Sequence, residues 1–234
     1  MNDIPNHIGL IFIACVIATF GFIYFGVRFS TKKSYLPTLV LTLISFWLLI
    51  IGVVTVNGYF LNFDSIPPRL MVFAAINLLI IILLFSLPRS RNFISQIPIT
   101  TLTHIHIIRV PVEIVLWWLF LEHLVPQELT YEGANFDIIS GITAPFAAIF
   151  LVGKKRQNRL WAVLWNVAAL GLLINIVSRA IMNTPYFISP TAELPNLAVF
   201  YFPFVYLPLF VVPAVLFAHL TSLYQLSLNS DRWN

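Results

Sequence analysis

Seven long apolar runs, separated by short polar connectors, organise this chain from end to end. They span Ile8–Val27, Tyr35–Val56, Arg69–Leu87, Leu102–Leu124, Phe136–Val152, Leu160–Met182 and Leu197–Tyr224. A helix that crosses a bilayer needs about 20 predominantly apolar residues. Each run is long enough to cross, and the fifth is the shortest. The pattern predicts an all-α membrane protein: a seven-transmembrane-helix bundle forming one domain over residues 1–234, with no linker, low-complexity segment or visible internal repeat.

Composition sharpens that reading. Hydrophobic residues make up 59% of the chain and charged residues 9%, against about 25% charged in ordinary soluble domains. So little charge cannot solvate a globule, which excludes a soluble enzyme, a nucleic-acid-binding module, a secreted disulfide scaffold and a transmembrane barrel. Membrane lipids are the expected surroundings, and nucleic acid is not an expected partner. The single Cys15 offers neither a disulfide nor a thiolate metal cluster. The first run lacks the basic leader of a cleaved signal peptide, and Asp3 has the wrong sign for one, so it is expected to persist as a helix.

Charge sets the orientation. Arg28, Lys32 and Lys33 follow run one, Arg89 and Arg91 follow run three, and Lys154, Lys155, Arg156 and Arg159 follow run five. With Arg232 in the tail, ten of the thirteen basic residues fall on one side. Seven of the nine acids belong to the other: Asp3, Asp64, Glu122, Glu128, Glu132, Asp137 and Glu193. Cytoplasmic loops are enriched in Lys and Arg. The N-terminus is therefore expected outside and the C-terminus in the cytoplasm, in a multi-pass protein of the cell (inner) membrane.

Ionisable side chains at bilayer depth cost about 3 kcal/mol or more each and generally face a cavity or a partner. Run four carries two, Arg109 and Glu113, four residues apart and able to pair on one helical face. His106 lies within about 60° of them, whereas His104 points roughly opposite. Pro111 removes a backbone donor and is expected to bend the helix. One reading makes this stripe an internal ion pair locking helices together. The other makes it a binding or proton-relay site in a hydrated cavity.

A second polar group surrounds Thr130, Glu132, Gly133, Asn135 and Asp137. Gly133 suits a left-handed turn, and Asn135 suits a cap for run five with Asp137 in its first turn. The shortness of run five suggests that the preceding loop dips into the bundle, which requires cover from protein or water. On run six, Asn175, Ser178 and Arg179 share a face near the external end, and an Arg179–carboxylate tie to that loop would satisfy both sides. Asn166 lies deeper on the opposite side. Run seven contains Pro203, Pro208 and Pro213, so an irregular helix is expected, and His219 near its end reads as an interfacial residue. The candidate substrate-binding residues are Arg109, Glu113, Glu132, Asn135, Asp137, Asn175 and Arg179.

Motifs narrow the chemistry. All four lysines lie in cytoplasmic loops, so no retinal Schiff base can form on run seven. The five histidines do not form the facing sets that a multi-haem bundle needs, making haem a poor fit. No metal-binding, hydrolase or Walker motif is present, and the identity of any other cofactor stays open. The run Arg109-x-Pro111-x-Glu113, followed by Pro126, Thr130-x-Glu132-Gly133-x-Asn135-Phe136-Asp137-Ile138, Gly141 and Ala144-Pro145, resembles a family of uncharacterised bacterial integral membrane proteins. The similarity continues through Trp165-Asn166, Leu173-Ile174-Asn175, Pro208, Pro213 and His219. That resemblance implies a bacterial multi-pass protein and no particular reaction.

Three functions remain. A small transporter or solute- or lipid-binding protein would use an outward-facing polar cavity with Glu132, Asn135 and Asp137 at the rim and Arg109–Glu113 deeper, with Tyr201 and Tyr206 beneath. A membrane-embedded enzyme acting on a lipid-borne substrate would use Glu113, Glu132 and Asp137 as acid/base or metal-ligating carboxylates, with His123 nearby. A structural or accessory subunit would use the same polarity as helix glue.

Overall fold

In lipid every backbone N–H and C=O must be satisfied within the protein, and the helix does this segment by segment. The computed structural model, which describes residues 4–33, 35–153, 156–187 and 194–228, is accordingly all-helical apart from one two-residue antiparallel ladder at Val152–Gly153 and Arg156–Gln157. Asp3, Lys154, Lys155, Glu193 and Arg232, which contribute to the charge alternation, lie outside the described residues.

The helices are α1 (Asn6–Ser30), α2 (Tyr35–Val56), α3 (Arg69–Ser86), α4 (Pro88–Ile94), α5 (Ile99–His104), α6 (Arg109–Leu121), α7 (Asp137–Phe150), α8 (Arg159–Met182) and α9 (Val212–Leu228). A tight 3₁₀ turn at Ile105–Ile108 joins α5 to α6, and a widened turn at Leu207–Val211 leads into α9. Counting α5–α6 and Leu207–Leu228 as continuous, six helices among the described residues are long and apolar enough to cross a membrane. Helix α7 is apolar but shorter.

Four features depart from the sequence expectation. Run four is helical from Ile99 to Leu121, and its tight turn lies just ahead of Pro111. Pro111 cannot donate to the carbonyl of Ile107, so the chain tightens there. The last run is helical only from Leu207, with a separate single turn at Ala198–Phe200. Pro203 and Pro208 lack the donors that would carry a helix back to Leu197. Run three ends at Ser86, and Pro88, well placed at a helix start, opens the separate α4 that the apolar pattern did not predict. Gly133 is not left-handed: among the described glycines Gly58 alone has positive φ, at 71°.

The bundle has a centre and a periphery. Half of the apolar window is buried in α5–α6 and in Leu207–Leu228, against 17% in α2 and α3. Helices α1 and α6 and the widened turn Leu207–Val211 share the main apolar core around Phe12, Val115, Leu119 and Val211. Helix α3 docks on the periphery through Asn77. Its amide nitrogen donates to the carbonyl of Leu209 (3.0 Å), and its oxygen accepts from Trp47 Nε1 (3.1 Å). Leu209 offers that carbonyl because Pro213, four residues on, has no N–H.

Candidate functional site

Arg109 opens α6 in the centre of the bundle and is buried, 3% exposed. A lone guanidinium there would be costly, and its surroundings answer that cost from three other helices. Nη1 lies 3.0 Å from Oδ1 of Asp137 on α7 and donates to the carbonyl of Ala169 on α8 at 3.1 Å. The Asp137 contact is an ion pair by distance rather than an aligned hydrogen bond. Nη2 lies 3.0 Å from Nε2 of His219 on α9, and the other ring nitrogen of His219 lies 3.1 Å from Oδ1 of Asn166 on α8. Asn166 completes the sequence by donating to the carbonyl of Ala162 at 2.9 Å. One chain of polar contacts thus ties α6, α7, α8 and α9.

Asp137 reaches Arg109 because the α6–α7 connector dives into the bundle. Leu121, where α6 ends, is twelve residues beyond Arg109, or about 18 Å at 1.5 Å per residue. Yet α7 begins beside Arg109. The returning segment buries Val125, Leu129, Thr130 and Asn135, while Gln127, Tyr131 and Glu132 face outward. Asn135 does two jobs there. Its oxygen accepts from the N–H of Asp137 at 3.0 Å, satisfying the first N–H of α7 from one residue ahead of the N-cap Phe136. Its amide nitrogen lies 2.6 Å from both carboxylate oxygens of Glu113 and 3.0 Å from the carbonyl of Leu129.

Two glycines make this fit sterically. A Cβ on Gly141 would sit 2.7 Å from Cγ2 and 3.0 Å from the backbone nitrogen of Val110, so α7 lies directly on the first turn of α6. A Cβ on Gly133 would strike the backbone of Gln127 and Glu128. Close approach, not a left-handed turn, explains Gly133.

Nearer the surface a second set clamps the same connector to α8. Arg179 Nη1 pairs with Glu128 Oε2 at 3.3 Å, and its Nε donates to Asn175 Oδ1 at 3.1 Å. Asn175 donates to the carbonyl of Ala134 at 3.0 Å, and Asn183 donates to Glu128. A tie between Arg179 and a carboxylate of the connector is present, but its partner is Glu128 and not Glu122, Glu132 or Asp137, the acids expected from the sequence.

A cavity of about 450 Å³ opens between α3, α6, α8 and α9. Its walls are apolar, from residues such as Leu70, Ala74, Leu116, Leu173, Val199 and Val211. Its charged patch is Arg109, Glu113 and Asp137. Leu78 on α3 and Ile174 and Ile181 on α8 line it while being 47%, 56% and 41% exposed, so it opens sideways between α3 and α8.

Of the seven candidate residues, Arg109, Glu113, Asn135 and Asp137 come together, and Asn175 and Arg179 form the surface clamp. Glu132 is exposed and stands apart from both groups. Its position beside buried Thr130 and Asn135 misled, because the connector turns it outward. Among the described residues no ion pair joins Arg109 to Glu113: each side chain found a partner from α7 or its connector instead. Tyr206 donates to the carbonyl of Leu48 and does not line the cavity.

Two residues central to the arrangement were not among the candidate site residues. His219 is fully buried and not interfacial, and Asn166 holds it. His106 stacks on His219 with ring centroids 3.9 Å apart, so two histidines do face each other. Both nitrogens of His219 are engaged and the rings lie face to face, which is not a geometry for joint metal ligation. Among the described residues no group of three His, Cys, Asp or Glu side chains is placed to hold a metal ion. Asn166 and His219 lie far apart in sequence, and nothing local signals that they meet.

Comparison with curated proteins and with solved structures returns no match. Residues 66–227 match the family model described as a domain of unknown function, DUF8737. The match takes in every residue of the buried charged cluster and leaves out α1 and α2. Because it covers more than half of the sequence, the chain belongs to the family of domain of unknown function DUF8737.

Proposed function

We propose that this protein is a multi-pass protein of the bacterial inner membrane that binds a small apolar or amphipathic molecule in its lateral cavity, acting as a small transporter or a lipid-binding protein. In this reading the chain crosses the membrane seven times, with its N-terminus outside and its C-terminus in the cytoplasm. Helix α7 and the inward-diving connector together make the fifth crossing. The alternation of basic and acidic connectors supports that orientation.

The observation that carries the proposal is the cavity itself. At about 450 Å³, with apolar walls and a few convergent polar groups, it has the size and chemistry of small-molecule sites. It opens sideways, where acyl chains would lie. A structural reading has one observation in its favour, because the chain Asp137–Arg109–His219–Asn166 joins four helices. Glue of that kind needs no cavity beside it.

Native mass spectrometry of protein released from lipid nanodiscs separates the two readings. The binding reading expects one retained small molecule per chain, lost in Ala74→Trp, which fills the cavity from α3. No retained molecule in the parent would leave the cluster as glue.

A further inference from the structure

The cavity presents an arginine, and an arginine at the base of an apolar pocket ordinarily suggests an anionic head such as phosphate or carboxylate. The partners of Arg109 argue against that here. Both Nη groups already serve protein acceptors: Asp137, Ala169 and His219. Its Nε is buried and has no hydrogen-bond partner. An arriving anion would meet a guanidinium already paired with one carboxylate and would lie beside a second, Glu113.

Beside that one unpaired N–H, acceptor positions are in the larger surplus. A carboxylate offers about four lone-pair positions. The two oxygens of Glu113 share the single amide nitrogen of Asn135. Asp137 has Arg109 as its side-chain partner. Two acids against one base leave the patch complementary to a donor-rich, positively charged group.

We infer that the occupant is a lipophilic amine, an apolar body bearing one ammonium group that docks beside Glu113 and Asp137. This rests on the cavity-binding reading above and adds the sign of the head group. The apolar body lies along the α3, α8 and α9 walls and enters between Leu78 and Ile174. An ammonium supplies three donors and no acceptor, matching the surplus. The same chemistry occurs in two sources, the ethanolamine head of a membrane phospholipid and a free amphiphilic amine.

The test compares amphiphiles of one chain length on the unaltered protein in phosphatidylcholine nanodiscs. The probes are dodecylammonium, dodecanol and dodecyl phosphate, with bound stoichiometry read by native mass spectrometry. Dodecylammonium is expected to bind at one per chain and about tenfold more tightly than dodecanol, with dodecyl phosphate weakest. Glu113→Gln should remove most of that preference. The head-group comparison needs no variant, so it stands if Glu113→Gln does not fold. Replacing phosphatidylcholine with phosphatidylethanolamine should weaken dodecylammonium binding if the native source is the lipid, and leave it unchanged if the source is a free amine. Dodecyl phosphate binding as tightly as dodecylammonium, or a preference that survives in folded Glu113→Gln, would overturn the inference. Binding by none of the three would instead defeat the cavity-binding reading.

Discussion

Arg109 Nη2 lies 3.0 Å from His219 Nε2, and this contact fixes the state of the imidazole. A guanidinium can only donate, so Nε2 must accept and the ring proton must sit on Nδ1. That proton points at Asn166 Oδ1, 3.1 Å away, and the Asn166 amide is itself oriented by its donation to Ala162. Every link in the chain has one consistent direction. His219 is thus a neutral spacer between an arginine and an amide, joining α6 and α8 through α9.

Removing that spacer leaves groups on both sides unsatisfied. His219→Ala should destabilise the protein by about 2–4 kcal/mol, since each buried polar group left without a partner costs roughly 1–3 kcal/mol. Asn166→Leu should cost less. Thermal unfolding of the two single variants and the double variant should reveal coupling between them, because residues in one network are not additive. Strict additivity would show that the chain does not act as a unit.

The ion pair should behave as a mutually dependent unit. Arg109→Met or Asp137→Leu alone leaves an uncompensated buried charge and should cost about 3–5 kcal/mol, whereas the double replacement should recover most of it. Coupling between Arg109 and Glu113, which lack a direct ion pair, should be smaller. A coupling energy larger for Glu113 than for Asp137 would contradict the observed pairing.

Two glycines on apolar helices should respond in opposite ways to alanine. Gly141→Ala places a Cβ against Val110 and the side chain of Arg109, and should cost about 1–3 kcal/mol through overpacking. A Cβ at Gly171 meets nothing within 4 Å. Gly171→Ala should therefore be neutral or stabilise by up to about 1 kcal/mol through helix propensity. Equal effects on the unfolding temperature would argue against the close packing of α7 on α6.

Thiol labelling should read the path of the α6–α7 connector. In a Cys15→Ala background, Glu132→Cys should react quickly with a membrane-impermeant maleimide, because Glu132 is exposed. Asn135→Cys should remain unreactive while the protein is folded, because Asn135 is fully buried. Equal reactivity at both positions would mean that the connector does not dive.

Reporter fusions address the orientation. Fusions after Lys33, Arg91 and Arg156 should all report a cytoplasmic location, as the basic connectors require. A periplasmic signal at any of the three would refute the seven-crossing arrangement.

The sequence by itself determined the all-helical class and most of the membrane-length helices, because continuous apolarity over about 20 residues has few other stable outcomes. It also marked Arg109 and Glu113, since charges inside an apolar run are costly enough to stand out, and Asn135 and Asp137, as the polar start of the fifth run. The contact of Asn135 with the start of α7 was legible too, being one between near neighbours, although the N-cap itself is Phe136. Partners were not. Arg109 and Glu113 are four residues apart and pair on an ideal helix, but α7 packs against α6 at Gly141 and brings Asp137 and Asn135 to them instead. The partnership of His219 with Asn166 and Arg109 spans 53 and 110 residues, beyond the reach of any local pattern. The exposure of Glu132 likewise depends on a connector whose course is set by what it packs against. Composition decides what a chain must bury, whereas the meeting of buried groups is decided by helix packing, in which one missing Cβ or one missing N–H redirects a whole segment.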